Sequence, residues 1–488
     1  MKNPVRFIAL LLALLLSATA CGGADAPAAD TTIPEDTTTA EQISSEYKKP
    51  DVDYGGRTVR AASYDWRGDF WRVADYNLFL SEENGDILND AAVKAKRRVE
   101  EELNVKLEMF ELGAANKPDE IITAVMAGDD EFKFALQMQI GLPKLLSDPS
   151  LLVDLNAVPT LDLSHSWWDQ NAVEAYSLYG KQYAAVGDIC YYSKTSLISY
   201  FFNKKMIVDN NLENPYDLVR EGKWTLEKMR TYTKAVANLN GDDVYGKDSD
   251  GNAVYGFVSF ANVIPKFIYA AGAEYVNKDK NGELVINCSS QRFIETCQTL
   301  AEFFGTKGEV LMASSDSTLN TYYQLYFEKQ KCLFFGGELK TASLLRNMEQ
   351  SFGILPIPKI DESQSSYYVT SVHQCPAFVI PVTNNAPEEI GLIFDALSYE
   401  SEATVLEPYF SEYVEQKGLR NEDSIEMLDI IKSSRSYDIG VVYGWITTLE
   451  TALKTAIQNG NTDISSTVAA NEASITESLN KMLEAFKD

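Results

Sequence analysis

The chain has 488 residues, 45% hydrophobic, 11% aromatic and 23% charged. These are globular proportions in a chain long enough for two domains, and they exclude a mostly disordered or fibrous protein. Acids outnumber bases 71 to 43, a formal charge of −28, which sets the surface against nucleic acid phosphate and anionic lipid.

Lys2 and Arg6 precede an apolar run from Phe7 to Leu16, followed by Ser17-Ala18-Thr19-Ala20. A charged start, an apolar middle and a small-residue end make residues 1–20 read as a secretory signal. The run is about half of the ~20 residues that span a bilayer. No other stretch is long and apolar enough to do so. Cys21, before Gly22 and Gly23, stands where a bacterial lipobox has its acylated cysteine, although Ala18 occupies a position where leucine is commoner. The alternative is plain secretion with Cys21 as an incidental thiol. Residues 22–50 are rich in Ala, Asp, Thr, Ser, Glu and Pro and read as a flexible tether with a reach of roughly 30 Å.

From residue 51 strand-like and helix-like patterns alternate, the mark of an α/β fold. Thr58 to Ser63 is the expected opening strand. Asn89 is the expected cap of a helix whose face carries Ala92, Ala95, Val99 and Leu103, and a strand follows at Val105, Leu107 and Met109. Thr225 is the expected cap of another helix, with Trp224 and Met229 stapled across it. Glu472 to Phe486 is a further amphipathic helix. Cys190, Cys288, Cys297, Cys332 and Cys375 form no metal-ligand spacing. They read as scattered thiols, with a Cys288–Cys297 disulfide the alternative in an oxidising compartment.

With only His165 and His373, metal sites and catalysis built on histidine are set aside, and nothing in the sequence pairs two catalytic carboxylates. The sharpest local motif is Asn238-Leu239-Asn240-Gly241-Asp242-Asp243. Its alternating oxygens, with Val244 at the seventh place, resemble the start of a calcium loop. Asp243 stands where glycine is expected, and Ser249 where a bidentate glutamate is. A structural Ca2+ held by Asn238, Asn240, Asp242 and Val244 and a metal-free polar turn are both open.

Eight segments in order carry a family resemblance: TVRAASYDWRGDFW, NGDILNDAAVKAKRRVEEELNVKLE, AVMAGDDEFKFAL, LLVDLNAVPTLDLSHSWWDQ, KQYAAVGDICYYSKTSLISYFFNKKM, ENPYDLVREGKWTLEKM, LFFGGELKTASLLRNMEQSFGILPIPK and CPAFVIP. Together they resemble the family 1 extracellular solute-binding proteins, the membrane-tethered receptors of ABC importers. The resemblance implies a periplasmic-binding-protein type II fold of two α/β lobes closing on a ligand. Lobe one is expected at 51–190 plus 366–405, and lobe two at 197–365 plus 410–488. The hinge is expected near 187–196, 365–372 and 404–410. It also implies a sugar or oligosaccharide ligand, an ABC permease as partner, a lipid-anchored extracytoplasmic monomer, no catalysis and no required cofactor. The competing functions are an adhesion or structural lipoprotein and a glycosidase using two carboxylates.

A sugar site needs aromatic platforms beside amides and carboxylates. Asp65, Trp66 and Trp71 follow the first strand, at the carboxyl end where α/β sheets bind ligands. Gln139 follows the FALQMQ strand in the same way, and Asn262 follows YGFVSF. Glu338 closes Phe335-Gly336-Gly337-Glu338, whose glycines let a ligand approach the backbone. Tyr192 lies on the expected hinge, and Tyr443 and Trp445 are placed to close the pocket from lobe two. Trp167 and Trp168 are assigned to the lobe-one core.

The address is testable by itself. Cys21→Ala should move the protein from the membrane fraction to the medium, and unchanged partitioning would overturn the anchor.

Overall fold

The computed structural model describes residues 47–63, 82–85, 87–113, 118–190, 192–245, 250–306, 308–313, 323–371, 375–406, 408–411, 419 and 421–487. Its strands are β1 (Arg57–Ser63), β2 (Val105–Glu111), β3 (Phe134–Met138), β4 (Ile198–Asn203), β5 (Tyr255–Phe260), β6 (Val276–Lys278), β7 (Leu284–Ile286), β8 (Val310–Ala313), β9 (Cys332–Glu338), β10 (Phe352–Leu355) and β11 (Pro376–Val379). They form two main sheets, ordered β11-β3-β1-β2 and β10-β4-β9-β5-β8, and a small β6-β7 hairpin. In the first sheet β1 runs parallel to β2 and β3, with β11 antiparallel on the β3 edge. In the second, β9, β5 and β8 are parallel, and β4 lies antiparallel between β9 and β10.

The opening strand runs Arg57–Ser63 and pairs in register with the whole of β2. Helix Ile87–Leu103 joins them, burying Leu88, Ala92, Ala95, Val99 and Leu103 at helical spacing. Asn89 does not cap it. The helix begins two residues earlier, and Asn89 lies in its first turn, donating its amide to the Glu82 carbonyl (2.9 Å). Thr225 does cap helix Leu226–Val236, its hydroxyl accepting the Lys228 N–H at 3.3 Å. Trp224 is fully buried beside it and donates its indole N–H to the Pro356 carbonyl at 3.0 Å.

Trp167 and Trp168 are buried against the first sheet, and both indoles donate to Asp395 Oδ1 at 3.1 Å. Cys288 and Cys297 are separate buried thiols rather than a disulfide. Cys297 faces inward from helix Gln291–Phe304, while the Cys288 thiol donates to the Tyr275 carbonyl at 3.3 Å. Among the described residues no helix is long and apolar enough to cross a membrane.

Between the sheets three backbone segments lie side by side. Ile198 N donates to Thr370 O (3.1 Å), Val369 N to Ser434 O (2.8 Å) and Ser436 N to Val369 O (2.8 Å). The stretch 404–406 is helical and packs through Val405 and Leu406 on Ala92 and Ala95 of the first-sheet helix. At the joint, buried Arg435 pairs with Asp169 and donates to the Ser193 carbonyl at 3.0 Å. Asp169 also accepts the Tyr437 hydroxyl at 2.6 Å and caps helix Gln170–Tyr176.

Removing one half of a buried pair leaves the other charge uncompensated. Asp169→Ala should therefore cost about 3–5 kcal/mol of stability in urea unfolding. A loss below about 1 kcal/mol, the range of an exposed pair, would show that the joint does not depend on it.

Candidate functional site

The carboxyl ends of β3, β5 and β9 point toward one another across the two sheets and enclose a cavity of about 320 Å³. The first sheet contributes Gln139, Ile140 and Pro143, and the second contributes Ile198, Phe260, Asn262, Val263, Pro265, Lys266 and Glu338. Val441 and the face of helix Thr447–Gln458 bearing Thr447, Glu450, Thr451 and Lys454 close it. In α/β sheets this is where ligands bind, because strand ends and the loops after them leave polar groups unspent.

Gln139 is held by its backbone, whose N–H donates to the Cys375 carbonyl at 3.0 Å. Its side-chain Nε2 is out of solvent and has no hydrogen-bond partner among the described residues. An unmade bond there costs about 1–3 kcal/mol, so the amide is a donor awaiting an acceptor. Glu338 accepts the Tyr192 hydroxyl at 3.0 Å and pairs with Lys340 at 3.0 Å, so that carboxylate links Tyr192 to the cavity. Lys454 donates to Asn262 Oδ1 at 3.3 Å. Burial pushes the Lys266 ammonium below the ordinary lysine range, against the pull of Glu450 and Asp438. Two lysines and two glutamates thus share the wall, a balanced set of donors and acceptors.

Below the cavity a chamber of about 30 Å³ shares Gln139, Lys266 and Glu450 and reaches Tyr176, Tyr437 and Asp438. Asp438 is fully buried. It accepts backbone N–H bonds from Tyr275 (2.6 Å), Val276 (3.3 Å), Gly440 (2.8 Å) and Val441 (3.2 Å). Burial pushes its carboxyl up to about 7, with those donors pulling the other way.

The structure brings Gln139, Asn262 and Glu338 to one cavity, and Tyr192 one bond behind it. Tyr443 and Trp445 are elsewhere. They stack on each other at 5.1 Å, both 3% exposed, and the Tyr443 hydroxyl donates to the Tyr176 carbonyl at 2.7 Å. Gly444 between them, at φ +72°, explains this: a Cβ there would stand 2.6 Å from Pro143 Cβ, so the turn tucks its rings behind the cavity wall. Gly336 and Gly337 lie inside β9 rather than after it. The close approach that Gly336 permits is to the Ser259 hydroxyl and the Phe257 ring, not to a ligand. Asp65, Trp66, Trp71 and Cys21 lie outside the described residues.

Sequence reasoning missed Phe260, Lys266, Glu450, Thr451 and Lys454. Lys266 had a signal, a lone lysine in the apolar run Val263 to Ala270. The other charged pair looks like any solvated helix face until the tertiary fold brings it to the cavity.

The calcium-like loop is closed by its own bonds. Asp242 accepts from Asn252 N (2.6 Å), Ala253 N (2.8 Å) and Asn252 Nδ2 (3.0 Å), and these hold its carboxyl below the usual range. Asn238 Oδ1 accepts Asn240 N at 2.8 Å, and Val244 is 71% exposed. Among the described residues no group of three or more His, Cys, Asp or Glu side chains is placed to hold a metal.

No family model matches the chain, and no curated protein does. Solved structures do. An ABC substrate-binding protein from Listeria monocytogenes in complex with cycloalternan has TM-score 0.55 at 11% identity, covering 87% of this chain and 99% of that one. A cyclo/maltodextrin-binding protein complexed with maltotetraose has TM-score 0.52 at 14% identity, covering 90% and 98%. A sugar transporter protein from Rhizobium etli in an open conformation has TM-score 0.53 at 14% identity, covering 88% and 99%. The shared property is the fold, and the chain has the two-lobed α/β fold of type II periplasmic-binding proteins.

Two outcomes follow from the site. Since Asp438 takes up its proton more readily folded than unfolded, its stabilisation is present in acid and is lost as pH rises from the ordinary aspartate range through about 7. D438N should flatten the urea-stability profile over that window, and an unchanged profile would assign the pH dependence to another group. For the loop, we expect the same melting temperature in calcium and in chelator. A calcium-dependent rise that Asp242→Ala abolishes would place an ion there.

Proposed function

We propose that the protein is an extracytoplasmic solute-binding receptor that captures a sugar or oligosaccharide in the cavity between its sheets and delivers it to an ABC permease. The observation that carries this reading is the cavity itself, built from strand ends of both sheets and holding Gln139 Nε2, which has no partner among the described residues. A solute gripped by both lobes favours their closed arrangement by its differential affinity for it. The balanced charges of Lys266, Lys454, Glu338 and Glu450 supply donors and acceptors without selecting a charged ligand. Phe260 and Pro265 offer apolar surface for the C–H face of a sugar ring.

Similar folds solved with cycloalternan and with maltotetraose support the ligand class. The lipobox-like Cys21 and the tether after it support a membrane-anchored location, where the permease stands. The reading asks for no cofactor and no catalytic group.

Thermal unfolding of residues 48–488 against mono- and oligosaccharides tests it. A sugar at 100 times its dissociation constant should add about 2.7 kcal/mol. Gln139→Ala should weaken that sugar about tenfold, the worth of one hydrogen bond to a buried donor. Silence across all sugars would overturn the ligand class, and hydrolysis of an oligosaccharide would overturn the receptor reading in favour of an enzyme.

A further inference from the structure

The chamber beneath the cavity measures about 30 Å³, close to the share of one molecule in liquid water. Tyr176 and Tyr275 form part of its wall. They are 1% and 0% exposed, and neither hydroxyl has a hydrogen-bond partner among the described residues. Gln139 Nε2, on the wall that chamber and cavity share, is in the same condition. Left unmade, three such bonds cost more than immobilising one water molecule to make them.

The surroundings offer these groups no other partner. The Tyr176 carbonyl accepts the Tyr443 hydroxyl at 2.7 Å, and the Tyr275 ring packs on Phe293 at 5.2 Å, so both residues are held in place. The other hydroxyls on the wall are committed. Tyr437 donates to Asp169, Tyr269 to the Tyr437 carbonyl and Thr370 to the Ser371 carbonyl. The Asp438 carboxyl group already accepts four backbone N–H groups, two on each oxygen. Charge selects the occupant. Lys266 opposes a cation, and Glu450 and Asp438 oppose an anion. What fits is a small neutral molecule that both donates and accepts, as a buried water does when it makes its usual three or so bonds.

We infer that the chamber is a built water site, in which one water molecule is bound by Gln139 Nε2 and the Tyr176 and Tyr275 hydroxyls, and that through it the two tyrosines position Gln139. An amide nitrogen carries a pair of hydrogens, so the water takes one and leaves the other for a solute in the cavity. The tyrosines are positioning residues, acting on the cavity from behind its wall. Their effect on a solute rests on the receptor reading, whereas the water site does not.

A crystal structure of the unliganded protein, with a parallel bromide soak, tests occupancy. One water peak within hydrogen-bond reach of all three atoms is expected. No peak, or an anomalous bromide signal in its place, would overturn the inference. Urea unfolding tests the linkage through the sign of the effect. Removing an unsatisfied hydroxyl relieves a protein, whereas removing the partner of a bound water weakens it. Tyr176→Phe and Tyr275→Phe should each raise the unfolding equilibrium constant about fivefold, the worth of one net hydrogen bond. The double variant should fall short of the product of the two, because both hydroxyls serve one water. Tyr275→Phe with Gln139→Ala should fall short in the same way. Stabilisation by either Phe variant, or effects that simply multiply, would overturn the inference. With a sugar that binds, Tyr275→Phe should lower affinity about fivefold, and not at all beside Gln139→Ala. An equal loss in both backgrounds would overturn the positioning role. Failure of every sugar to bind would overturn the receptor reading, and the water peak and the unfolding cycles would still decide the inference drawn from the chamber.

Discussion

At the joint between the two sheets lies one buried ion pair, Asp169 with Arg435. A guanidinium out of solvent needs its charge and its donors matched, and here a carboxylate and the Ser193 carbonyl do so. The carboxylate is also a helix cap and the acceptor of the Tyr437 hydroxyl. One residue further on, Asp438 gathers four backbone N–H groups, Tyr275 and Val276 at the start of β6 and Gly440 and Val441 in the helical turn that follows it. Four consecutive residues, Arg435 to Asp438, thus tie the segments that pass between the sheets to the floor beneath the cavity.

The cavity wall is balanced in charge although the protein carries a formal charge of −28. The acids are spread over the outside. The cavity wall pairs Glu338 with Lys340 and Tyr192, and sets Lys266 near Glu450 and Asp438. Long-range charge governs what approaches the molecule, whereas the local set of donors and acceptors governs what stays.

Much of the secondary structure was legible in the residues. Period-two alternation marked β2, and the 3.6-residue period marked helix Ile87–Leu103 and helix Glu472–Lys487. Thr225 was readable as a cap because its hydroxyl acts within one turn. Asn89 misled because a short polar residue before an apolar face suits either a cap or a first turn, and only the backbone bonds upstream choose. The rings of Tyr443 and Trp445 misled for a similar reason: aromatic supply says nothing of which side of a wall a ring occupies.

By itself the sequence determined the alternation of strands and helices and the placing of Gln139 and Asn262 after strands, since each of these follows from neighbours a few residues apart. Only the tertiary structure decided that Gln139, Lys266, Glu338, Glu450 and Lys454 face one cavity. Those residues come from chain segments more than three hundred positions apart, and what brings them together is the packing of the two sheets and their helices, which no local pattern records.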